Sequence, residues 1–236
     1  MISYVDKCLL IEEDKEKILV VGDLHIGYDE SLRRGGILVP NVTLNETING
    51  LEKIVKKVGK LNKVVLLGDV KHSFGTILRS EWKNITELFD YLLTFSDEII
   101  LIKGNHDVVV SPVAHTRRIE VRDYFLWKSY AFLHGDRNFK EIYNKNIKRW
   151  VLGHAHPAVW LREGAKKEKY KCFLVGKYKS KQIIVLPSFF AGNEGTDPRD
   201  GEMNLAWKFD FSNFEVVIVS EELEVLNFGK LKKLPK

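Results

Sequence analysis

Five apolar runs in this chain each end in a short polar cluster, and that arrangement leaves few folds open. Ile18-Leu19-Val20-Val21 leads into Gly22-Asp23-Leu24-His25, and Val64-Val65-Leu66-Leu67 into Gly68-Asp69. Ile99-Ile100-Leu101-Ile102 passes Lys103 into Gly104-Asn105-His106-Asp107. Ala131-Phe132-Leu133 ends at His134-Gly135-Asp136, and Val151-Leu152 at Gly153-His154-Ala155-His156. Apolar runs of this length read as buried strands. In open α/β sheets ligands gather at the carboxyl ends of the strands, so five such clusters should converge on one crevice. The glycines predict sharp backbone turns that aim the next side chain inward.

The rest of the pattern supports a layered α/β sandwich. Strands are expected at 7–12, 17–21, 63–67 and 98–102. Leu44, Ile48, Leu51, Ile54, Val55 and Val58 have helical spacing, and so do Trp82, Ile85, Leu88, Phe89 and Leu92 within 80–95, with Ser80 as the expected N-cap. The β-α-β-α-β order implies a parallel sheet with covering helices. Later segments at 119–126, 129–134, 150–153, 172–175, 182–186, 205–211 and 216–220 read as strands of a second sheet, with few helices after residue 150. A chain of 236 residues that is 44% hydrophobic supports one sizeable core, so 1–236 is expected to be a single domain.

Composition bounds the setting. No apolar run approaches the roughly 20 residues of a membrane span, and residues 1–12 do not resemble a secretory signal. Cys8 and Cys172 are too few for a disulfide framework, which points to a reducing cytoplasm. A net charge of +5 tolerates a polyanionic partner without demonstrating one.

The clusters carry the chemistry. Their carboxylate and amide oxygens mixed with imidazole nitrogens suit Mn, Fe or Zn better than Ca or Mg alone. Two Asp, one Asn and five of the chain's seven histidines suffice for two ions with one His to spare. A two-metal site nearly dictates hydrolysis of a phosphoester, with one carboxylate bridging the ions, and Asp69 is the natural bridge. Asp23 with His25, and His154 with His156, stand two residues apart, a spacing that puts both side chains of an extended pair on one side. Alone, Gly68-Asp69 reads as a turn, Asn105-His106-Asp107 equally well as a loop, and Gly153-His154-Ala155-His156 as a metal signal.

In this order the motifs resemble the calcineurin-like metallophosphoesterase superfamily: Asp-x-His, Gly-Asp, Gly-Asn-His-Asp, His, and Gly-His-x-His, spanning residues 23–156. The resemblance implies a four-layer sandwich of two mixed β-sheets flanked by helices. It implies one ion held by Asp23, His25, Asp69 and His156, and a second by Asp69, Asn105, His134 and His154. Both would be divalent, Mn first, with Fe, Zn, Ni or Mg as alternatives. His106 would sit beside the scissile phosphate without binding metal. The run Gly68-Asp69-Val70-Lys71-His72-Ser73-Phe74 and the tail Leu186-Pro187-Ser188-Phe189 are similar to a small subgroup of bacterial and archaeal phosphoesterases. That subgroup resembles the nuclease-like proteins associated with DNA ligases or helicases in repair.

The implied reaction is attack on a phosphodiester by a hydroxide shared between the ions. Asn105 and His106 would neutralise charge on the phosphoryl oxygens, and His106 would protonate the leaving oxygen. Asp107 is expected either to orient the His106 ring or to cap a turn. His72 reads as a substrate contact or a loop hydrogen bond. Asn193, Asp197 and Arg199, in a Gly-rich loop, either rim the pocket, with Arg199 contacting substrate, or belong to an ordinary connection. Asp136 reads as a loop buttress, and His115 as a surface residue. Lys166, Lys167, Lys169, Lys171, Lys177, Lys179 and Lys181, interleaved with Tyr170, Phe173 and Tyr178, fit either a single-strand grip or exposed hairpins. The leading expectation is a DNA or RNA nuclease of repair, with a helicase or ligase as partner and the oligomeric state open. The alternatives are a phosphatase or diesterase of small phosphoesters, and a non-catalytic scaffold.

Overall fold

Alternating side chains at the start of the chain build two successive hairpins in the computed structural model, which describes residues 1–235. Strand β1 (Ile2–Val5) pairs antiparallel with β2 (Cys8–Glu13), and β2 with β3 (Glu16–Val21). A short helix, α1 (Tyr28–Arg34), and the longer α2 (Thr43–Val58) then lead to β4 (Leu61–Leu66), parallel to β3. Helix α3 (Arg79–Leu93) leads to β5 (Ser96–Ile102), and α4 (Ser111–His115) to β6 (Glu120–Arg122), each strand parallel to the one before. The sheet order is β1 to β6 in sequence, mixed because its first two strands run antiparallel.

Helix α2 buries Leu44, Leu51, Ile54 and Val58, one stripe at helical spacing, and stops at Gly59. Helix α3 buries Ile85, Leu88, Phe89 and Leu92 in the same way. Ser80 is not its cap, because the helix begins at Arg79 and places Ser80 inside the first turn. Glu81 takes that role instead. Its carboxylate reaches back to the N–H groups of Leu78 (3.4 Å), His72 (3.1 Å) and Ser73 (3.0 Å).

The expected strand at 119–126 is two strands in different sheets. β6 stays with β5, the chain changes sheet at Asp123, and β7 (Tyr124–Trp127) pairs with β8 (Tyr130–Leu133). Parallel to β8 runs β9 (Arg149–Leu152). A separate hairpin joins β10 (Ala158–Glu163) to β11 (Lys166–Lys171). Strands β12 (Phe173–Tyr178), β13 (Lys181–Val185), β14 (Glu215–Val219) and β15 (Val225–Lys230) complete a mixed sheet ordered β15-β14-β12-β13-β9-β8-β7.

The two sheets bury a common layer between them. Leu9, Ile11, Ile18, Val20, Val65 and Ile100 of the first meet Tyr130, Phe132, Val151, Phe173, Ile184 and Val217 of the second. The α-helices cover the outer face of the first sheet. The outer face of the second is covered, among the described residues, by 3-10 turns and an irregular aromatic segment. That segment includes 205–211, where a strand was expected. Trp207 packs at a tilt 5.3 Å from Trp150 and stacks 6.0 Å from Phe209, so the segment's aromatic rings are fixed by packing and its backbone forms no ladder. No helix among the described residues is long and apolar enough to cross a membrane.

Candidate metal centre

Strands β3, β4, β5, β8 and β9 deliver the five motifs to one edge. Beyond the strand ends the first two loops continue to pair: Asp23 N–H donates to Gly68 O (3.2 Å), His25 N–H to Asp69 O (2.9 Å) and Ile26 N–H to Val70 O (2.8 Å). Ser188 closes the loop from the other side, its hydroxyl donating to Asp23 O at 2.9 Å.

The turns are made only in part by the glycines. Asp23, His25, Asp69, His154 and His156 themselves adopt the left-handed region, with φ of 57°, 47°, 49°, 63° and 46°. Such conformations cost of order 1–3 kcal/mol each. Asp and His bear them better than bulkier residues. A single fully buried aliphatic side chain contributes about 1.5–3 kcal/mol, so the inter-sheet layer readily offsets this strain. Gly68 does turn, at φ +88°, and a Cβ there would meet His134 Nδ1 at 2.6 Å. Gly104 is needed for space alone, because a Cβ would land on the Asp69 carboxylate and amide.

Three donor groups result: first Asp23, His25 and His156; second Asp69, His134 and His154; and third the all-imidazole set His25, His72 and His106. Within each, the candidate ligand atoms lie within 4.8 Å of one another. Asn105 joins the second group, its Oδ1 3.0 Å from His134 Nε2. His134 Nδ1 lies 2.7 Å from Leu67 O, to which it can only donate, so Nε2 is the nitrogen turned inward. Around that Nε2 stand Asn105 Oδ1, His154 Nδ1 at 3.0 Å and Asp69 Oδ2 at 3.4 Å. In the first group His156 Nε2 stands 3.1 Å from Asp23 Oδ1. Four buried side-chain atoms lack a hydrogen-bond partner among the described residues, and three are imidazole nitrogens here: His25 Nδ1, His72 Nδ1 and His156 Nε2. Unpartnered imidazole nitrogens beside buried carboxylates fit divalent cations of the borderline class.

The electrostatics agree. Burial drives the His25 pKa down to about 3 and lowers that of His154, which keeps both imidazoles neutral and able to ligate. Burial would also lower His134, but the Asp69 hydrogen bond and charge, with Asp23, raise it to about 9. Asp69 itself is held below the usual carboxylate range: burial opposes this, and His134 together with the His106 amide outweighs it. A positive charge is thus stabilised between Asp69 and Asn105.

The remaining expected residues divide. His106 is at the centre: its N–H donates to Asp69 Oδ1 (3.0 Å) and its Nε2 lies 3.9 Å from Asp69 Oδ2. Its Nδ1 contacts His72 O, so that carbonyl orients the ring. Asp107 does not orient His106 and acts instead as a turn cap. Fully buried, it accepts from Val70 N (3.1 Å), Lys71 N (3.2 Å) and Gly104 N (3.1 Å), tying the second and third motifs together. Burial raises its pKa to about 6. The His72 ring lies 5.5 Å from both the His25 and the His106 rings. Arg199 is not available to substrate: it pairs with Asp197 at 2.6 Å and donates to Trp160 O and Pro235 O, leaving an 11% exposed side chain. Asn193, six residues earlier, is the member of that loop that enters the site, with Nδ2 2.7 Å from His156 Nδ1.

The lysines do not make one stripe. Lys171 turns inward onto Ser188 O and Phe190 O, and Lys181 onto Asn144 O and Ile147 O. His115 is exposed at the end of α4, and Asp136 lies 3.6 Å from Arg137. A cavity of about 790 Å³ lies away from the motifs, between the β10–β11 hairpin and β15.

The sequence model of one family, described as calcineurin-like phosphoesterase, matches residues 16–219. No curated protein matches the chain. Among solved structures, the nuclease MPE of Pseudomonas putida is 18% identical, with 89% of this chain and 96% of that one covered and a TM-score of 0.60. At that identity the likeness shows the fold alone. An Aquifex aeolicus protein of unknown function is 19% identical over 62% of this chain and 81% of its own, with a TM-score of 0.40. A Streptococcus pneumoniae protein described as a predicted phosphoesterase is 15% identical over 90% and 97%, with a TM-score of 0.36. The last two superpose too loosely to support an inference.

Proposed function

This chain belongs to the calcineurin-like phosphoesterase family, whose members are metal-dependent hydrolases, and from that premise we propose that it cleaves phosphodiester bonds of nucleic acid. We assign Asp23, His25, Asp69 and His156 to one ion and Asp69, Asn105, His134 and His154 to the other. The observation that carries the reading is the pair of Asp/His donor groups meeting beside two further imidazoles, those of His72 and His106. Divalent ions bound there supply an acidified water and offset charge on the phosphoryl oxygens, Mn being the ion we favour.

The chain's own residues do the rest. His106, with Nδ1 held by the His72 carbonyl, presents Nε2 to the site and donates a proton to the leaving oxygen. The Asn105 amide, beside His134, faces the same space and donates to a phosphoryl oxygen as charge builds there. Asp107 acts through the backbone, fixing the loops that carry Asp69 and Asn105.

The net charge of +5 and the fold shared with a nuclease favour a polynucleotide over a small phosphoester. Two buried, unpaired cysteines accord with a reducing, cytoplasmic setting. The shared inter-sheet core supports treating 1–236 as one domain. A role in DNA repair beside a helicase or ligase is the finer reading. The test is cleavage of end-labelled single- and double-stranded DNA by Mn-loaded protein, with His106→Ala in parallel. Cleavage lost in the variant supports a nuclease. Hydrolysis of a small chromogenic diester with every polynucleotide left intact would move the substrate to small phosphoesters.

A further inference from the structure

The loop at 72–78 borders the metal centre and is braced from inside. Fully buried Lys71 reaches the carbonyls of Ser73 and Thr76, while buried Glu81 takes the N–H groups of His72 and Ser73. Bracing of this kind holds the loop's tip in one place, and the tip is Phe74. Its ring is 64% exposed, yet it lies over the His106 ring with centroids 3.7 Å apart and planes inclined by 34°. A rigid loop that shows an aromatic face to solvent beside a reactive imidazole is suited to a flat apolar partner.

Opposite Phe74, the end of α1 closes a cavity of about 410 Å³, lined also by Ser31, Arg34, His72 and Thr76. That volume suits one nucleotide unit. The neighbouring cation, Arg33, is tied to Glu30 at 2.8 Å and to Val39 O. Arg34 is exposed and has no ion pair or hydrogen bond among the described residues. An aromatic face, the hydroxyl residues Ser31, Ser73 and Thr76, and an uncommitted guanidinium therefore share one cavity beside His106.

We infer that this cavity is a subsite for the nucleotide flanking the scissile phosphate, with its base on Phe74 and its phosphate on Arg34. The inference rests on the nuclease reading and narrows it. A base can lie on Phe74 only after leaving a duplex stack, so the substrate is single-stranded or locally unpaired nucleic acid.

The experiment is a cycle on the Mn-loaded full chain. Labelled single-stranded oligonucleotides, intact or with one abasic residue stepped along the strand, are cleaved by wild type, Phe74→Leu, Phe74→Tyr and Arg34→Ala. In the wild type, an abasic residue at one position beside the cut should lower kcat/KM on the order of 10- to 100-fold. That penalty should vanish in Phe74→Leu and return in Phe74→Tyr. Arg34→Ala should reduce the slope of log kcat/KM against log salt by about 0.7, the value for one single-strand phosphate. An abasic penalty that is absent in wild type, or that persists in Phe74→Leu, overturns the subsite and leaves the nuclease reading standing. Wild-type protein that hydrolyses a small diester but no oligonucleotide overturns both.

Discussion

Asn193 and His156 meet side chain to side chain, Nδ2 to Nδ1, at 2.7 Å, while the Asn193 Oδ1 accepts the Gly195 N–H at 2.7 Å. The loop after β13 therefore fixes the ring of one proposed ligand. As placed, Nδ1 accepts from the amide and Nε2 holds the ring's proton, so a cation at Nε2 requires the amide to turn and accept Nδ1–H. Outer partners that do so commonly set metal affinity by about 10- to 100-fold. Asn193→Ala should weaken Mn retention by that order, read by competition with a chelator. Unchanged retention would remove Asn193 from the site's support.

At neutral pH the metal-free His134, raised to about 9, carries a proton between Asp69 and Asn105. A cation entering there must displace it, so metal and proton compete. Affinity should fall as pH drops below about 9, and loading at pH 7 should release about one proton from this imidazole. Calorimetry in two buffers of different ionisation heat measures that release, and a value of zero would contradict the assignment of His134.

His106 and Asp69 should fail in different ways. His106→Ala should keep its bound metal and lose on the order of 10²- to 10⁴-fold in kcat, the usual contribution of a positioned acid. Asp69→Asn, which weakens both proposed sites, should lose metal as well as activity. Metal analysis beside kinetics separates the two, and metal-depleted His106→Ala would reassign that residue as a ligand.

Lys171 links stability to pH. Burial, with the charge of Lys7, lowers its pKa from 10.5 to about 7. Between those values the unfolded chain holds a proton that the folded chain does not. Stability therefore rises with pH across roughly 7 to 10.5, by about 1.4 kcal/mol per unit from this residue, and is lost again as pH falls toward 7. Lys171→Met should flatten that slope whatever it does to stability at any single pH, because the Ser188 and Phe190 carbonyls also lose their donor. Urea midpoints at pH 7.5 and 9.5 decide it; parallel slopes in the two proteins would refute the linkage.

The sequence reveals what is local. Apolar runs ending in polar clusters were enough to place β3, β4, β5, β8 and β9 and to bring Asp23, His25, Asp69, Asn105, His134, His154 and His156 together. The change of sheet at Asp123 was hidden because Ile119, Val121 and Tyr124 to Trp127 read as one strand, with no Gly or Pro at the crossing. Arg199 looked free because the carboxylate that neutralises it, Asp197, also takes the Trp160 N–H, 37 residues distant in the chain. Phe74 gave no periodic signal, since its position is set by Lys71 and Glu81 beneath the loop. Leu205, Trp207 and Phe209 alternate like a strand, but their rings pack and their backbone does not pair.

Because Asp23, His25, Asp69, His154 and His156 make the turns with their own backbones, selection acts on these positions twice. A residue must first tolerate a left-handed turn, which admits Gly, Asn, Asp and His and disfavours β-branched residues; only then must it bind a cation. Saturation libraries scored for soluble protein and for activity should therefore give nested alphabets at each position. Glycine, invisible to any argument from side-chain chemistry, should survive the first filter and fail the second.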